Sequence, residues 1–459
     1  MLFFPQIRYK IGFEAVHFKL MHNLISIMEE VIFVQVPPPY LCITYACYMS
    51  NYPSISFENT EFAFEYKSNK ELKSARFLFS SMGKAWLVKM GTRITPKLIR
   101  WGFPIKGIIR RTIFAQFVGG ETLEQTSEVA KKLGEYNVQI ILDYAVEGGE
   151  SSDEEYDKAI QEFLRVIRYS ATQPNIPFVS IKVTGIADSD LLEKIDTLMK
   201  QSSGTLMKRY LASLEQLTTA EKDAWHRVRH RLMLMCQEAQ AHGVGVQVDA
   251  EQSWYLDPVD ALTMLMMDSF NKEKAVVYNT LQMYRHDRMA FLKDCYDAAV
   301  ERKFILAIKF VRGAYMERER RRAVEKGYPS PINPDKETTD RDFDDAITFC
   351  IDHIDRCAMI VASHNEKSNL LAAQLLQQKG LPLKHPHVHW SQLYGMSDNI
   401  TFNLAHAGCS VSKYLPFGPI RDVIPYLMRR AQENTSVKGQ TGRELGLIKK
   451  ELARRKGKA

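Results

Sequence analysis

Eight short runs of β-forming residues recur from residue 138 onward, and segments with helical periodicity separate them. The runs are 138–143, 178–184, 244–251, 275–280, 305–315, 358–365, 387–392 and 409–414. Eight apolar strands that alternate with crossover helices are typical of a (β/α)8 barrel in the α/β class. A doubly wound sheet is the structural alternative, but no G-x-G-x-x-G segment follows any of the runs.

Polar or charged residues stand at or just past the end of every run. They are Asp143, Lys182, Thr184, Asp249, Glu251, Asn279, Lys309, Arg312, Ser363, His364, Gln392 and Tyr414. In a barrel these strand ends form the rim that carries the active site. One such residue alone is more readily a strand-end cap or a lining group, whereas a polar set at all eight ends favours a functional rim.

Composition excludes several classes of protein. With 459 residues, 45% hydrophobic and 25% charged, the chain has the profile of a globular protein. Its net charge of +7 is modest, and no zinc-finger, ribonucleoprotein or basic-helix pattern predicts nucleic-acid binding. The seven cysteines are scattered without a C-x-x-C pair, which indicates reduced thiols inside a cell. No apolar stretch reaches the ~20 residues of a membrane span.

The sequence divides into four parts. Residues 1–50 lack clean periodicity, contain three consecutive prolines and precede a second plausible start at Met49. A poorly ordered extension, an organelle-targeting segment and a stretch translated upstream of the real start are the interpretations, and we expect the segment to contribute nothing to the fold. Residues 51–136 are predicted to form an N-terminal helical arm and residues 137–440 the barrel. Residues 441–459 form a basic tail, for which a solvated end, a membrane-surface contact and a nucleic-acid contact are the interpretations, in that order.

The segment that follows the last run combines a turn with a charged helix. Pro416, Gly418 and Pro419 break the strand, and helical spacing begins at Ile420. On this helix Tyr426, Arg429, Arg430 and Glu433 are three or four residues apart and share adjoining faces. Two arginines beside a tyrosine and a glutamate could clamp a small carboxylate. The alternative is a solvated helix end with basic residues near its C-terminus.

Two long motifs resemble those of the proline dehydrogenases. K-F-V-R-G-A-Y at 309–315 is similar to one family signature, and Y-L-P-F-G-P-I-R-D-V-I-P-Y-L-M-R-R-A-Q-E-N at 414–434 is similar to the C-terminal signature. Shorter matches occur in order at 106–122, 141–143, 180–184 and 363–365. The resemblance implies a distorted, FAD-dependent (β/α)8 TIM barrel with extra N-terminal helices and a C-terminal helix over the flavin.

The resemblance also implies roles for residues near the substrate. Asp143 and Lys309 would be catalytic residues together with Arg429 and Arg430, and Lys309 would stabilise negative charge near the flavin N5. The residues expected to hold the substrate carboxylate are Lys106, Arg429 and Arg430. The residues expected to wall the proline ring are Tyr315, Leu393, Tyr414 and Tyr426. Related enzymes that prefer 4-hydroxyproline carry a serine in place of Tyr414, so proline is the expected substrate.

A further set is expected to bind FAD by the same resemblance. It consists of Tyr144, Asn279, Lys309, Arg312, Gly313, Ala314, Ser363, His364 and Glu433. Within this set, the resemblance implies that Ser363 and His364 contact the pyrophosphate side of the cofactor. Lys309 stands where many bacterial members have arginine and Asn279 where they have glutamine, as in the eukaryotic-type branch. A lysine keeps the charge but loses the bidentate fork of an arginine.

The implied activity is the oxidation of L-proline to Δ1-pyrroline-5-carboxylate, with electrons passed from FADH2 to a membrane quinone. Without a ribbon-helix-helix segment or an aldehyde-dehydrogenase domain, the chain is expected to be monofunctional. In a bacterium, the protein would lie in the cytoplasm, in peripheral contact with the inner membrane. In a eukaryote, it would lie in mitochondria.

Three other readings remain open. His385, His387 and His389 alternate as in metal-dependent amidohydrolase barrels, but they lie on the seventh run instead of the first, and we expect no metal. The methylenetetrahydrofolate reductases would explain FAD but not the arginine pair. A non-catalytic barrel that serves as a binding scaffold is the third, and the intact rim set argues against it.

Overall fold

The structure, a computed structural model, describes residues 55–84, 86, 88–91, 106–145, 152–436 and 440–457, with the backbone alone at 106, 433–436 and 440. Residues Ile55–Ala459 belong to one compact unit. The predicted extension at 1–50 lies outside the described residues, so its expected dispensability stays a prediction.

Eight parallel strands close into a barrel in the order β1 to β8. They are β1 Gln139–Tyr144, β2 Phe178–Ile181, β3 Gly245–Val248, β4 Val277–Gln282, β5 Leu306–Val311, β6 Cys357–Ala362, β7 Val388–Leu393 and β8 Val411–Phe417. Each of the eight predicted runs overlaps one strand, and the barrel closes where Ile141 of β1 pairs with Tyr414 of β8. The predicted (β/α)8 fold is therefore confirmed.

Helices precede the barrel, connect its strands and follow it. Before β1 come α1 Thr60–Phe64, α2 Asn69–Met82, α3 Lys106–Ile109, a π-helical turn Arg110–Phe114, α4 Ala115–Phe117 and α5 Thr126–Gly134. Between the strands come α6 Asp153–Ala171, α7 Ser189–Gln201, α8 Leu206–Glu215, α9 Thr219–His242, α10 Leu256–Phe270, α11 Arg288–Arg302, α12 Met316–Lys326, α13 Lys336–Asp352, α14 Glu366–Gln378 and α15 Asp398–His406. After β8 come α16 Ile420–Ser436 and α17 Gln440–Gly457.

Local sequence explains where the connecting helices begin and end. Ser152 and Thr218 each form a capping box at the start of α6 and α9, because a serine or threonine and a glutamate three residues later satisfy each other's free N–H groups. Gly243 ends α9 in the left-handed conformation, with φ of 70°, that glycine adopts without a steric penalty. The chain then re-enters the barrel as β3.

Side chains fill the N-terminal half of the barrel and leave the other end polar. Phe178 packs edge-on against Tyr278, with ring centroids 5.4 Å apart, and against His389 at 5.0 Å. Ile360 and Ala307 complete this apolar layer. Because side chains alternate along a strand, the inward positions farther along β1, β2 and β4 are Asp143, Ser180 and Thr280, and these lie at the carboxyl end.

A second apolar core joins the N-terminal helices to the two last helices. Its members include Phe79 of α2, Val423 and Leu427 of α16, and Leu447 and Ile448 of α17. Helix α16 packs against α2, α17 and the π-helical turn, instead of taking the place of a helix beside the barrel.

The basic segment predicted as a tail is largely helix α17. Its apolar side is buried through Leu447, Ile448 and Leu452. Arg455 donates hydrogen bonds of 2.8 Å to the carbonyl oxygens of Phe64 and Lys67, at the end of α1. The segment therefore exposes its basic residues as one side of a packed helix, and the interpretation as a solvated end does not hold for 440–457.

Candidate active site

Four side chains of alternating charge line the carboxyl end of the barrel. Lys182 Nζ lies 2.8 Å from Asp143 Oδ1 and 3.6 Å from Asp249 Oδ2. Lys309 Nζ forms an ion pair with Asp249 Oδ1. The side chains of Asp143, Lys182 and Lys309 are buried, and Asp249 is nearly so. Charges this poorly solvated require partners, and the alternation supplies one to each.

Asp249 is the centre of this arrangement. Besides the two lysines it accepts hydrogen bonds from Ser180 Oγ at 2.8 Å and from Tyr414 OH at 2.6 Å. Burial alone would raise the pKa of Asp249, but the ammonium groups of Lys309 and Lys182 and the hydrogen bonds from Lys309 and Tyr414 hold it well below its usual range. Asp249 therefore stays ionised and holds Lys309 and Tyr414 in place.

Tyr414 lies where a substrate wall is expected, inside the barrel mouth. Lys309 Nζ is 5.3 Å from the centroid of its ring, within reach of a cation–π contact. Burial, and then the carboxylates of Asp143 and Asp249, raise the pKa of the Tyr414 phenol, so it remains a neutral donor. Its ring is partly exposed toward the mouth, and its hydroxyl is committed to Asp249.

Buried polar atoms without partners mark the barrel wall beside Lys309. Thr280 Oγ1 and Gln282 Oε1 of β4 have no hydrogen-bond partner within the described residues, and neither end of the Gln247 amide of β3 has one. Register pairs Thr280 directly with Lys309 on β5. Buried polar atoms are nearly always hydrogen-bonded, and these atoms are available to hydrogen-bond a polar ligand.

The residues present at this wall fit a flavin. The pyrimidine end of an isoalloxazine ring carries N–H and C=O groups, which suit an amide oxygen and a hydroxyl such as those of Gln282 and Thr280. The ammonium group of Lys309 on the adjacent strand would favour negative charge on the reduced ring.

Two residues predicted to touch the flavin face the other way. Asn279 Nδ2 donates to Asp260 Oδ1 of α10 at 2.7 Å, so its amide is directed at the helix layer. The ring of Tyr144 packs against Phe163 of α6, with centroids 5.7 Å apart, and against Phe417. The structure therefore does not bring either side chain to the barrel interior, and their expected contact with FAD stays a prediction. Strand alternation is the physical reason, since the inward positions of β4 are one residue from Asn279.

The predicted cofactor residues at the ends of β5 and β6 do come together. Arg312 Nη1 donates to Ser363 Oγ at 2.6 Å, while its Nε contacts Asp340 Oδ1 of α13 at 2.7 Å. Burial, followed by the nearby positive charges of Lys413, Arg430 and Arg312, lowers the pKa of His364 to about 3, so its imidazole is neutral.

The two small residues after Arg312 are placed differently from each other. Gly313 has φ of 133°, and a Cβ there would lie 2.5 Å from ring atoms of Tyr284, so the glycine is required by packing against this ring. Ala314 is exposed. The expected contact of both with FAD stays a prediction.

Helix α16 brings the arginine pair to the ring-wall residues. Arg429 Cζ lies 5.7 Å from the centroid of the Tyr315 ring, and Arg430 Cζ lies 5.1 Å from that of Tyr426. Leu393, at the end of β7, packs against the same apolar cluster as Tyr426. Arg430 is 5% exposed, so a carboxylate bound to it would be largely desolvated. The side chains of Lys106 and Glu433 lie outside the described residues, and their roles stay predictions.

The histidines at 385–389 have structural partners. His389 Nε2 is 2.6 Å from Ser412 Oγ inside the barrel, and burial lowers the pKa of His389 to about 3. His387 Nδ1 is 2.6 Å from the carbonyl oxygen of Ile354. Across the described ranges, no three His, Cys, Asp or Glu side chains are grouped as metal ligands.

Sequence reasoning placed Asp249, Lys182 and Gln282 imperfectly. It located Asp249 and Lys182 at strand ends but gave them no role, and it ended the fourth run before Gln282. Their significance depends on contacts among strands distant in the sequence. The alternation of inward positions along β4 is the signal that could have identified Thr280 and Gln282.

The sequence is similar to that of a known protein family and of several characterised proteins. The family model described as "Proline dehydrogenase" matches residues 126–443. A protein named "Proline dehydrogenase 1, mitochondrial" from Dictyostelium discoideum is 33% identical over 381 residues, which cover 77% of this chain and 66% of that protein. A protein named "Hydroxyproline dehydrogenase" from Xenopus laevis is 30% identical over 418 residues, which cover 85% of this chain and 88% of that protein.

A solved structure shares the fold. It is the crystal structure of proline utilization A from Bdellovibrio bacteriovorus, inactivated by N-propargylglycine, and the match has a TM-score of 0.61 and 18% sequence identity. It covers 92% of this chain but only 41% of the solved chain, so this chain spans less than half of that protein. The family match over residues 126–443, together with the 33% identical relative, shows that the chain belongs to the proline dehydrogenase family.

Proposed function

We propose that this protein oxidises L-proline to Δ1-pyrroline-5-carboxylate with FAD as cofactor. The observation that carries the proposal is the contact of Arg429 and the buried Arg430 with Tyr315 and Tyr426, in a barrel whose mouth contains Lys309. An α-amino acid with an apolar ring needs a cationic group for its carboxylate and an apolar wall for its ring, and these residues supply both. When bound, FAD supplies the hydride acceptor for the reaction.

The arginines bind one end of the substrate. Arg429 and Arg430 stand on one turn of α16, against Tyr315 and Tyr426. A guanidinium group offers a fixed fork of N–H donors that matches a carboxylate. Binding through this group fixes the orientation of the pyrrolidine ring, and the aromatic side chains exclude water from it.

The charged residues of the barrel mouth would act at the reacting C5–N bond of the substrate. Oxidation removes a hydride from C5 and the proton of the ring nitrogen, and a C5=N double bond forms. Lys309 would place a positive charge beside the acceptor of the hydride, and Asp249 holds its ammonium group in position. Asp143 holds Lys182 in the same way at 2.8 Å.

The electron acceptor and compartment form part of the proposal. We propose a membrane quinone as acceptor, reached by peripheral contact with the membrane. Among the described helices, none is both long and apolar enough to span a bilayer. The relative from Dictyostelium discoideum carries "mitochondrial" in its name, and mitochondria would be the compartment in a eukaryote.

Product and acceptor can be tested together. The purified protein loaded with FAD is mixed with L-proline and a short-chain quinone under nitrogen, with D-proline as the matched control. We expect quinone reduction only with L-proline, and a product whose mass is that of proline less one hydride and one proton. Reduction of NAD+ but not of quinone would contradict the proposed acceptor, and an unchanged substrate would contradict the reaction.

Tyr414 should determine the preference between proline and 4-hydroxyproline. A 4-hydroxyl group packed against its ring would lose hydrogen bonds to water, at a cost of ~1–3 kcal/mol. We therefore expect kcat/KM for L-proline to exceed that for 4-hydroxy-L-proline by about one to two orders of magnitude. Tyr414→Ser should narrow this ratio.

A matched variant shows whether Tyr414 contacts the substrate ring or only packs against other residues of the protein. Tyr414→Phe keeps the ring and loses only the hydrogen bond to Asp249, so its kcat/KM should fall while the ratio between the two substrates is preserved. Steady-state kinetics with both substrates checks this. Parallel losses for both substrates in Tyr414→Ser would remove Tyr414 from the wall, and a wild-type preference for hydroxyproline would contradict the assignment.

A further inference from the structure

His364 contacts a serine held in an unfavourable backbone conformation. Its Nδ1 lies 2.9 Å from Ser397 Oγ. Ser397 is the N-cap residue of α15 and has φ of 51° and ψ of 45°, in the left-handed region. This conformation is unfavourable for a residue with a Cβ, and such residues persist only where their surroundings hold them.

The C-terminal helix supplies one of the groups that hold Ser397. The Ser397 N–H donates to the carboxyl group of Glu444 on α17, and Glu444 is buried. The next residue, Asp398, lies 2.9 Å from Lys413 Nζ of β8 and 2.8 Å from Lys67 Nζ of the N-terminal helices. Segments from both ends of the described chain therefore fix the loop that carries Ser397.

The protonation state of His364 makes this contact chemically significant. Its imidazole is neutral, as its lowered pKa indicates, and a neutral imidazole has only one N–H group. A phosphodiester oxygen at neutral pH accepts hydrogen bonds and has no hydrogen to donate. For His364 to bind such an oxygen through Nε2, the hydrogen must be on Nε2, and Nδ1 must accept one from the Ser397 hydroxyl.

We propose that Ser397 and Glu444 are positioning residues for the cofactor: Ser397 donates its hydroxyl hydrogen to His364 Nδ1, Glu444 holds Ser397, and His364 presents Nε2–H to the pyrophosphate of FAD. This inference rests on the proposed function, because it requires FAD at this site. It makes helix α17, which lies outside the barrel, a support of the cofactor site.

Ser397→Gly is the decisive variant. It removes the hydroxyl group and also relieves the left-handed strain, because glycine adopts this conformation freely. We expect the apoprotein of this variant to melt at or above the wild-type temperature, while its Kd for FAD, measured by quenching of flavin fluorescence, rises about tenfold, or 1.4 kcal/mol. A purely structural serine predicts the same or higher stability with unchanged FAD affinity.

A double variant tests whether Ser397 acts through His364. His364→Ala should raise the Kd for FAD at least as much as Ser397→Gly does. In the His364→Ala background, the further change Ser397→Gly should have no effect on FAD affinity, because the group it orients is already absent. Additive effects on Kd would overturn the proposal.

Glu444 is tested with a matched pair. Glu444→Gln keeps a carbonyl oxygen that can accept from the Ser397 N–H, and burial, with Asp398 nearby, raises the pKa of Glu444 to about 7, so glutamine resembles its protonated form. We expect Glu444→Gln to bind FAD within about twofold of wild type, and Glu444→Ala to resemble Ser397→Gly. FAD affinity unchanged in both Ser397→Gly and Glu444→Ala would refute the positioning role. A wild-type apoprotein that fails to bind FAD would instead overturn the proposed function, and this inference with it.

Discussion

Replacing Arg430 by Met should lower kcat/KM for L-proline by about two orders of magnitude or more. The substitution keeps the length and much of the apolar surface of the side chain but removes the charge that would pair with the substrate carboxylate. Arg430 is 5% exposed, and losing one partner of a desolvated charge pair costs ~2–5 kcal/mol. Since every 1.4 kcal/mol is about tenfold, steady-state kinetics should show a large loss. Arg429→Met is expected to behave similarly.

Arg421→Met, on the first turn of the same helix, is the matched control. The Arg421 side chain is 78% exposed and pairs only with its neighbour Asp422 among the contacts described. This variant should keep its efficiency within about twofold, because exposed ion pairs contribute only ~0–1 kcal/mol. If the Arg429 and Arg430 variants retained flavin and matched the Arg421 variant in kcat/KM, neither arginine would bind the carboxylate.

Replacing Asp249 by Asn should lower the free energy of unfolding of the apoprotein by ~3–5 kcal/mol at neutral pH. The substitution nearly preserves shape but leaves the buried ammonium group of Lys309 without its carboxylate partner. Lys182 retains Asp143 at 2.8 Å, so the loss falls mainly on Lys309. Urea denaturation of both proteins measures the difference, and a change below ~1 kcal/mol would contradict the role of Asp249 as a structural centre.

The control and the pH dependence make this test specific. Asp352→Asn is the same chemical change at the exposed pair Lys379–Asp352, 2.9 Å apart, and should cost ~1 kcal/mol or less of stability.

The folded-state pKa of Asp249 is depressed. Its contribution to the free energy of unfolding is therefore full above the unfolded pKa of ~3.9 and is lost as pH falls toward the folded value. The difference between wild type and Asp249→Asn should therefore shrink below about pH 4.

The barrel could be predicted from the sequence because each strand carries a local signal. An apolar run ended by a polar residue indicates a buried strand that ends at the barrel rim, and each of the eight runs overlaps such a strand. The arginine pair on α16 was likewise visible in the spacing of Tyr426, Arg429 and Arg430. These features depend on residues close together in the chain.

Inward and outward positions were harder to predict, because a shift of one residue exchanges the faces of a strand. Along β4, Thr280 pairs with Lys309 and faces the barrel, and so does Gln282 two residues later. Asn279, one residue before Thr280, faces Asp260 in the helix layer. Tyr144, one residue after Asp143, faces outward by the same alternation.

Contacts between distant segments could not be predicted at all from local patterns. Asp249 follows β3, but its partners Ser180, Lys309 and Tyr414 come from β2, β5 and β8. The link from Glu444 through Ser397 to His364 joins three segments that only the folded chain brings together. The helical packing of 440–457 was also missed, since its basic residues obscure the buried side formed by Leu447, Ile448 and Leu452.

The absorbance spectrum of the purified protein under anaerobic conditions tests the central claim most directly. We expect the FAD-loaded protein to show the oxidised flavin band, and we expect L-proline, but not D-proline, to bleach it in the absence of any other electron acceptor. A flavin band that saturating L-proline leaves unchanged, or a folded protein that binds no FAD, would contradict the assignment of this barrel as a flavin-dependent proline dehydrogenase.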